Sequence, residues 1–173
     1  MRWVELNEGE YNNVWNFVYK KLKFHPDVYP RFVSMEISHP AFILPAPFCI
    51  YDLSVLMDTY EKSKDRNFDN KIMDIFNDML LAGTDDENYV YALDWQHTCF
   101  KYYLKEPTEG KNDYYMRVNF IPDGDYQFFL ANDFSWGYLA HPWQQGIYAY
   151  GNIMVEYLKQ HEKSLLLGLK YKS

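Results

Sequence analysis

Asp94 and His97 stand three residues apart in an aromatic segment. A histidine held by a carboxylate can act as a general base, which is the chemistry of many hydrolases. On a regular strand the two side chains point to opposite faces, so they can meet only if the chain turns or bulges at Gln96. Asp125 and His141 are the other residues that could join such a catalytic pair. In the alternative interpretation, these polar groups only satisfy backbone atoms at the rim of a sheet.

Metal chemistry has weaker support in the sequence. Asp123 and Asp125 flank Gly124, but the longer run of oxygen ligands that an EF-hand needs is missing after Asp125. Aspartates in such a place more often stabilise a turn. None of the five histidines has the i,i+4 spacing of a zinc protease, and two cysteines cannot form a structural zinc site. The sequence therefore predicts no metal site, no cofactor and no assigned catalytic residue.

An aromatic set is the stronger candidate for binding. We predict a polar and aromatic loop over residues 132–145. Several large rings in one loop either pack down on the core or present a surface to a partner. Its composition, with acidic and amide neighbours, is typical of a protein interface. The candidate binding residues are Trp95, Asp133, Trp136, Tyr138, His141 and Trp143.

Strands dominate the region that must position these residues. Apolar and aromatic residues alternate over 89–96, and a second row of alternation runs over 114–121. Pro122 to Asp125 has the composition of a tight turn, which predicts a hairpin with a return strand over 126–130. Further short strands are predicted over 41–44, 48–51, 99–104, 146–150 and 165–169, the first two as a pair.

Helical spacing of apolar residues appears in three places. Asn7 and Glu10 form a capping-box pattern for a helix from about Glu8 to Lys21. A second helix begins after Ser63 or Asp65 and ends at Gly83, and a third covers 153–161. The predicted fold class is α+β, with a single antiparallel sheet of about five or six strands and two or three helices packed on it. We expect one domain over residues 1–173.

Composition limits the kinds of partner. A formal net charge of −7 disfavours binding to nucleic acid and to anionic membranes. No stretch approaches the roughly 20 apolar residues of a membrane helix, and no secretory signal is visible. Cys49 and Cys99 are the two cysteines, which suits a reducing cytoplasm.

Aromatic blocks recur along nearly the whole chain, and their members are Trp3, Tyr11, Trp15, Phe24, Tyr91 to His97, Pro122 to Tyr126, and His141-Pro142-Trp143. The order of these blocks resembles a family of bacterial proteins known as a domain of unknown function, the 2716 type. The sequence departs from the family pattern at Phe100, where a tyrosine is common, and at Ala140, where a glycine is usual. The resemblance implies a small cytoplasmic bacterial protein and assigns no activity or ligand.

The leading functional hypothesis is a non-enzymatic protein-binding domain, of which an immunity protein that neutralises a toxin is one form. Trp136, Tyr138 and Trp143 would be its anchors, and Asp133 would steer the partner. The alternatives are a hydrolase that uses a His/Asp pair at the sheet rim and a small-molecule pocket lined by tyrosines between sheet and helices.

Overall fold

A computed structural model describes residues 2–26, 41–63, 65–84, 89–106 and 116–172. In these residues the strands form one antiparallel sheet with helices on both faces. The elements are β1 Trp3–Glu5, α1 Glu8–Lys20, β2 Phe48–Asp52, α2 Ser54–Lys62, α3 Arg66–Gly83, β3 Val90–Asp94, β4 Phe100–Tyr102, β5 Gln127–Ala131, β6 Gly137–His141, β7 Gly146–Tyr150, α4 Asn152–His161 and β8 Gly168–Lys172. The predicted α+β class with a single sheet is confirmed, although the described residues form eight strands and four helices where five or six strands and two or three helices were expected.

The strand order is β1-β4-β3-β5-β6-β7-β2-β8, and the neighbouring pairs are antiparallel. Alternate residues of the central strands enter two separate cores. In β5, Phe128 belongs to the core beneath α1, and Phe129 belongs to the core beneath α2, α3 and α4. Every residue of β5, β6 and β7 is buried. These three strands are therefore covered on both faces, unlike the strands of alternating apolar and polar residues that have one face in water.

Local signals at the helix ends were predicted correctly. The Asn7 side chain accepts a hydrogen bond from Glu10 N, and the Glu10 carboxylate accepts one from Asn7 N, both at 3.0 Å. Asp65 caps α3 by accepting from Asn67 N at 2.9 Å, and α3 ends at Gly83 as expected. Satisfying the exposed N–H groups of the first turn in this way stabilises a helix by about 1 kcal/mol. None of the described helices has the length and apolar character needed to cross a bilayer.

The predicted hairpin around Gly124 is wrong. Residues 116–121 contain no strand, while Tyr114 and Tyr115 lie outside the described residues. Phe120 instead stacks on Phe76 of α3, with ring centroids 4.9 Å apart. The segment thus lies on the face of the sheet that α2, α3 and α4 cover, where the Phe120 ring is fully buried. Gly124 still adopts the expected positive φ, 122°.

The predicted loop over 132–145 is also wrong, because residues 137–141 form β6 between β5 and β7. The pairing predicted for residues 41–44 with β2 is not present, since β2 pairs with β7 and β8. Helix α2 was not predicted, and the last strand covers 168–172 instead of 165–169.

Candidate functional site

Three turns meet at one end of the sheet, and we call this end the acidic rim: residues 94–99, 123–126 and 142–145. Asp94 at the end of β3 stands opposite Gln127 at the start of β5, and Gln127 stands opposite Ala140 of β6. Ala140 in turn stands opposite Ile147 of β7. The register therefore places the three turns side by side, although they are far apart in the sequence.

The turn after β3 brings His97 back to Asp94. Gln96 has a φ of 70°, which is uncommon for a residue with a side chain, and His97 N donates to Asp94 O at 3.1 Å. His97 Nδ1 then lies 3.2 Å from Asp94 Oδ1 and 3.4 Å from Asp125 Oδ2. The condition set by the sequence, a turn at Gln96, is met, and Asp125 is the second carboxylate of the group.

The charges of this group act on one another. Burial raises the pKa of the Asp94 carboxyl; His97 opposes this effect, and the charges of Asp125 and Asp123 add to it. The hydrogen bond to Asp94 raises the pKa of the His97 imidazole, whose side chain is 62% exposed. An exposed imidazole held by carboxylates can accept or release a proton, and three such side chains can also hold a cation.

A cleft of about 720 Å³ opens beside these residues. Asp94 and His97 line it, together with Glu5, Tyr11 and Arg117. Cys99 also lines the cleft, but burial raises the pKa of its thiol, so it is not a ready nucleophile. Any chemistry here would therefore depend on the imidazole and the carboxylates.

His141 does not join this group. It is fully buried in the core beneath α1, and its Nε2 lies 3.4 Å from Tyr126 Oη. Gln144 N donates to its Nδ1 at 3.2 Å. Burial lowers the pKa of His141 to about 4, so the ring is neutral at pH 7. The candidate pairing of His141 with Asp94 is therefore contradicted: on the β6 ladder, His141 belongs to the opposite face of the sheet.

Two of the predicted anchors are core residues. Trp136 donates its indole N–H to Gly83 O at 2.8 Å, and Tyr138 donates its hydroxyl to Phe120 O at 2.7 Å. Both side chains are buried, as is His141. The aromatic surface predicted for these three residues is thus absent from the fold, because they belong to β6 or the residue before it.

The remaining candidate binding residues separate into two places. Trp143, 47% exposed, lies on the acidic rim, as does the half-buried Trp95, whose indole N–H donates to Tyr19 Oη at 3.3 Å. Asp133 lies in the β5–β6 turn at the opposite end of the sheet. There it accepts hydrogen bonds from Ser135 N and Oγ at 2.9 and 2.6 Å. Asp133 and Trp143 therefore lie beyond opposite ends of the five-residue strand β6.

Sequence reasoning missed Gln127, which is fully buried at the rim. Its Nε2 donates to Asp123 Oδ1 at 2.6 Å, and Asn119 Nδ2 donates to Asp123 Oδ2 at 2.5 Å. The Gln127 Oε1 atom has no hydrogen-bond partner in the described part of the chain. The sequence held a signal for this residue. Gln127 lies two positions before Phe129 on the same strand, so its side chain is expected on the same face of the sheet as that apolar ring.

A second cavity, of about 450 Å³, lies between α2, α3 and residues 116–123. Methionines line much of it, namely Met57, Met73 and Met116. The small-molecule hypothesis expected a pocket lined by tyrosines between sheet and helices, and Tyr60 is the one tyrosine among the described residues that line this cavity.

Comparison with known proteins identifies a family. A family model described as "Protein of unknown function (DUF2716)" matches residues 5–155. The chain is also similar to the "Uncharacterized protein YxiI" of Bacillus subtilis (strain 168), with 29% identity over 159 residues, which cover 90% of this chain and 91% of that protein. No solved structure matches the chain significantly.

Proposed function

We propose, from the premise that this chain belongs to the DUF2716 family of proteins of unknown function, that it is a non-enzymatic protein-binding domain whose contact surface is the acidic rim. The observation that carries this proposal is the meeting of three turns at one end of the sheet, which brings Trp95 and Trp143 onto the same edge as Asp94 and Asp125.

The two tryptophans are close enough to contact one partner. Strands β3, β5, β6 and β7 are successive neighbours, about 4.8 Å apart, so Trp95 after β3 and Trp143 between β6 and β7 are separated by about 12 Å. Tryptophan is enriched among the residues that dominate binding energy, and these cluster near the centre of an interface. The rim therefore has the composition and the width of an interface centre.

The charge of the rim favours a basic partner. Asp94, Asp123 and Asp125 lie together, on a chain with a net charge of −7. Such a surface speeds association with a positively charged protein and repels an acidic one. An immunity-type role, in which the rim covers a basic toxin surface, is one form of this proposal. The predicted cytoplasmic location belongs to it as well, and neither Cys49 nor Cys99 is in a disulfide.

Photo-crosslinking in the native cell tests the proposed surface. A crosslinking residue replaces Trp143, and in a matched control it replaces Ile153, which is 45% exposed on α4. We expect a discrete protein adduct from position 143 and none of that mass from position 153. The Asp125→Asn substitution and added salt should both weaken the adduct, because both reduce the attraction to a basic partner. Equal adducts from both positions, or none from position 143, would refute the proposal.

A hydrolase is the second candidate, and the carboxylate contacts of His97 favour it. His97 Nδ1 lies within 3.4 Å of both Asp94 and Asp125 at the mouth of a cleft. This geometry is suitable for a general base. Hydrolysis of activated ester and phosphodiester substrates should then exceed the buffer rate, fall with His97→Ala and persist with His161→Ala. Activity that survives the His97 substitution would exclude this role.

A further inference from the structure

We propose that Asp94, His97 and Asp125 form a binding site for a divalent first-row transition ion of the Zn²⁺ or Co²⁺ class. One donor atom from each of these side chains lies within 4.8 Å of the other two. The spacing of histidines in the sequence predicts no metal site. The site proposed here takes its carboxylates from two turns that only the fold brings together.

The two distances from His97 match those between neighbouring ligands of a metal ion, and the shorter one is also that of a hydrogen bond. His97 Nδ1 lies 3.2 Å from one carboxylate oxygen and 3.4 Å from the other. A tetrahedral zinc ion with ligands at 2.0–2.1 Å holds its ligand atoms about 3.3 Å apart. A ring nitrogen carries at most one N–H, which cannot point well at two carboxylates. A cation between the three atoms satisfies both contacts at once.

The donor set indicates the class of ion. One imidazole nitrogen with two carboxylate oxygens suits zinc, cobalt and their neighbours, whereas Mg²⁺ and Ca²⁺ prefer sites made of oxygen alone. Three protein ligands leave a fourth position open, and His97 and Asp94 both face the cleft. The open position would therefore be accessible from solvent.

Gln127 is a buried polar neighbour of Asp94 on the adjacent strand. It stands directly opposite Asp94 in the β3–β5 ladder, so the two side chains leave the same face of the sheet. Its amide is fully buried, and its Oε1 atom has no hydrogen-bond partner among the described residues. A buried acceptor without a donor is unusual in a native fold. Water at this end of the sheet is a donor of the kind that this oxygen lacks.

Metal titration of the purified chain tests the site without any protein partner, so its outcome is separate from that of the crosslinking experiment. The chain carries no histidine tag and is first freed of metal with a chelator. Co²⁺ binding is followed by visible absorption, and Zn²⁺ binding by calorimetry. We expect one ion per chain, with little binding of Mg²⁺ under the same conditions.

The variants locate the ion. His97→Ala and Asp125→Asn should each lower the affinity by about tenfold or more. His161→Ala and Asp58→Asn, which remove the same groups away from the rim, should bind as the parent does. His97 is largely exposed, so its replacement should leave the far-UV circular dichroism unchanged. Absence of saturable binding by the parent chain, or binding that is unchanged in both rim variants, would overturn the proposal.

Discussion

Acid should destabilise this fold through His141, a predicted binding residue that the fold buries in its core. The imidazole is fully buried, with its Nδ1 accepting from Gln144 N and its ring against Tyr126 and Phe42. Protonation would place a charge in this core and remove the acceptor. Burial lowers the pKa of His141 to about 4 from its ordinary value of 6.5.

The direction and size of the effect follow from these two values. Between pH 6.5 and 4 the unfolded chain binds a proton at this residue and the folded chain does not, so stability falls as the pH falls. The contribution is fully present above pH 6.5 and is lost by about pH 4. At 1.36 kcal/mol for each unit of pKa difference, the loss is about 3 kcal/mol, which is a large part of the stability of an ordinary domain.

Urea unfolding at a series of pH values from 7 to 4, followed by tryptophan fluorescence, measures this loss. His141→Asn keeps an acceptor close to the Nδ1 position but cannot be protonated. It should be less stable at pH 7, because ring packing is lost, and its free energy of unfolding should fall less steeply with acid. The difference in the free energy of unfolding between the parent and His141→Asn should shrink by about 3 kcal/mol from pH 7 to pH 4.

The contribution of His97 to stability should depend on pH in the opposite direction, which the His97→Asn substitution tests. Since contact with Asp94 raises the pKa of His97 in the fold, its stabilising contribution is present below pH 6.5 and is lost as the pH rises through its folded pKa. The free energy of unfolding of the parent should therefore exceed that of this variant by more at pH 5 than at pH 8, in buffer with a chelator.

If the parent and His141→Asn lose stability in parallel from pH 7 to 4, the assignment of acid sensitivity to His141 is refuted.

Other substitutions probe the fold. Asn7→Ala should cost about 1 kcal/mol by removing the cap of α1, and the exposed Asn12→Ala on the same helix should cost much less in the same urea assay. Gly137→Ala places a methyl group 2.4 Å from the Tyr150 ring, so it should destabilise by about 1–3 kcal/mol. Trp136→Phe removes the hydrogen bond to Gly83 O and should cost about 1–3 kcal/mol because the carbonyl is left unpaired. A Gly137→Ala variant as stable as the parent would contradict the close packing at that position.

The parts of the fold that sequence reasoning predicted well depend on neighbours along the chain. The capping box of Asn7 and Glu10 involves residues three apart, and α3 is bounded by Asp65 and Gly83. Strand β7 and helix α4 also appear close to their predicted places. Each of these signals acts within one or two turns of backbone, so no knowledge of the tertiary fold is needed to interpret it.

Strand β6 shows why the rest was out of reach. Both of its faces are covered, by α1 on one side and by the other helices on the other, so its residues lack the polar alternation that identifies a half-exposed strand. Residues 116–121 show the reverse case. Their alternation suits a strand, but they form none, and Phe120 is held against Phe76.

At the candidate site, the sequence by itself determined that a carboxylate and an imidazole lie near one another at the end of β3, and that they meet if the chain turns at Gln96. Tertiary structure decided that Asp125 joins them, that His141 is buried on the other face, and that Trp95 and Trp143 share one rim. The physical reason is that backbone preferences act over a few residues, whereas the order and register of strands decide which distant turns become neighbours.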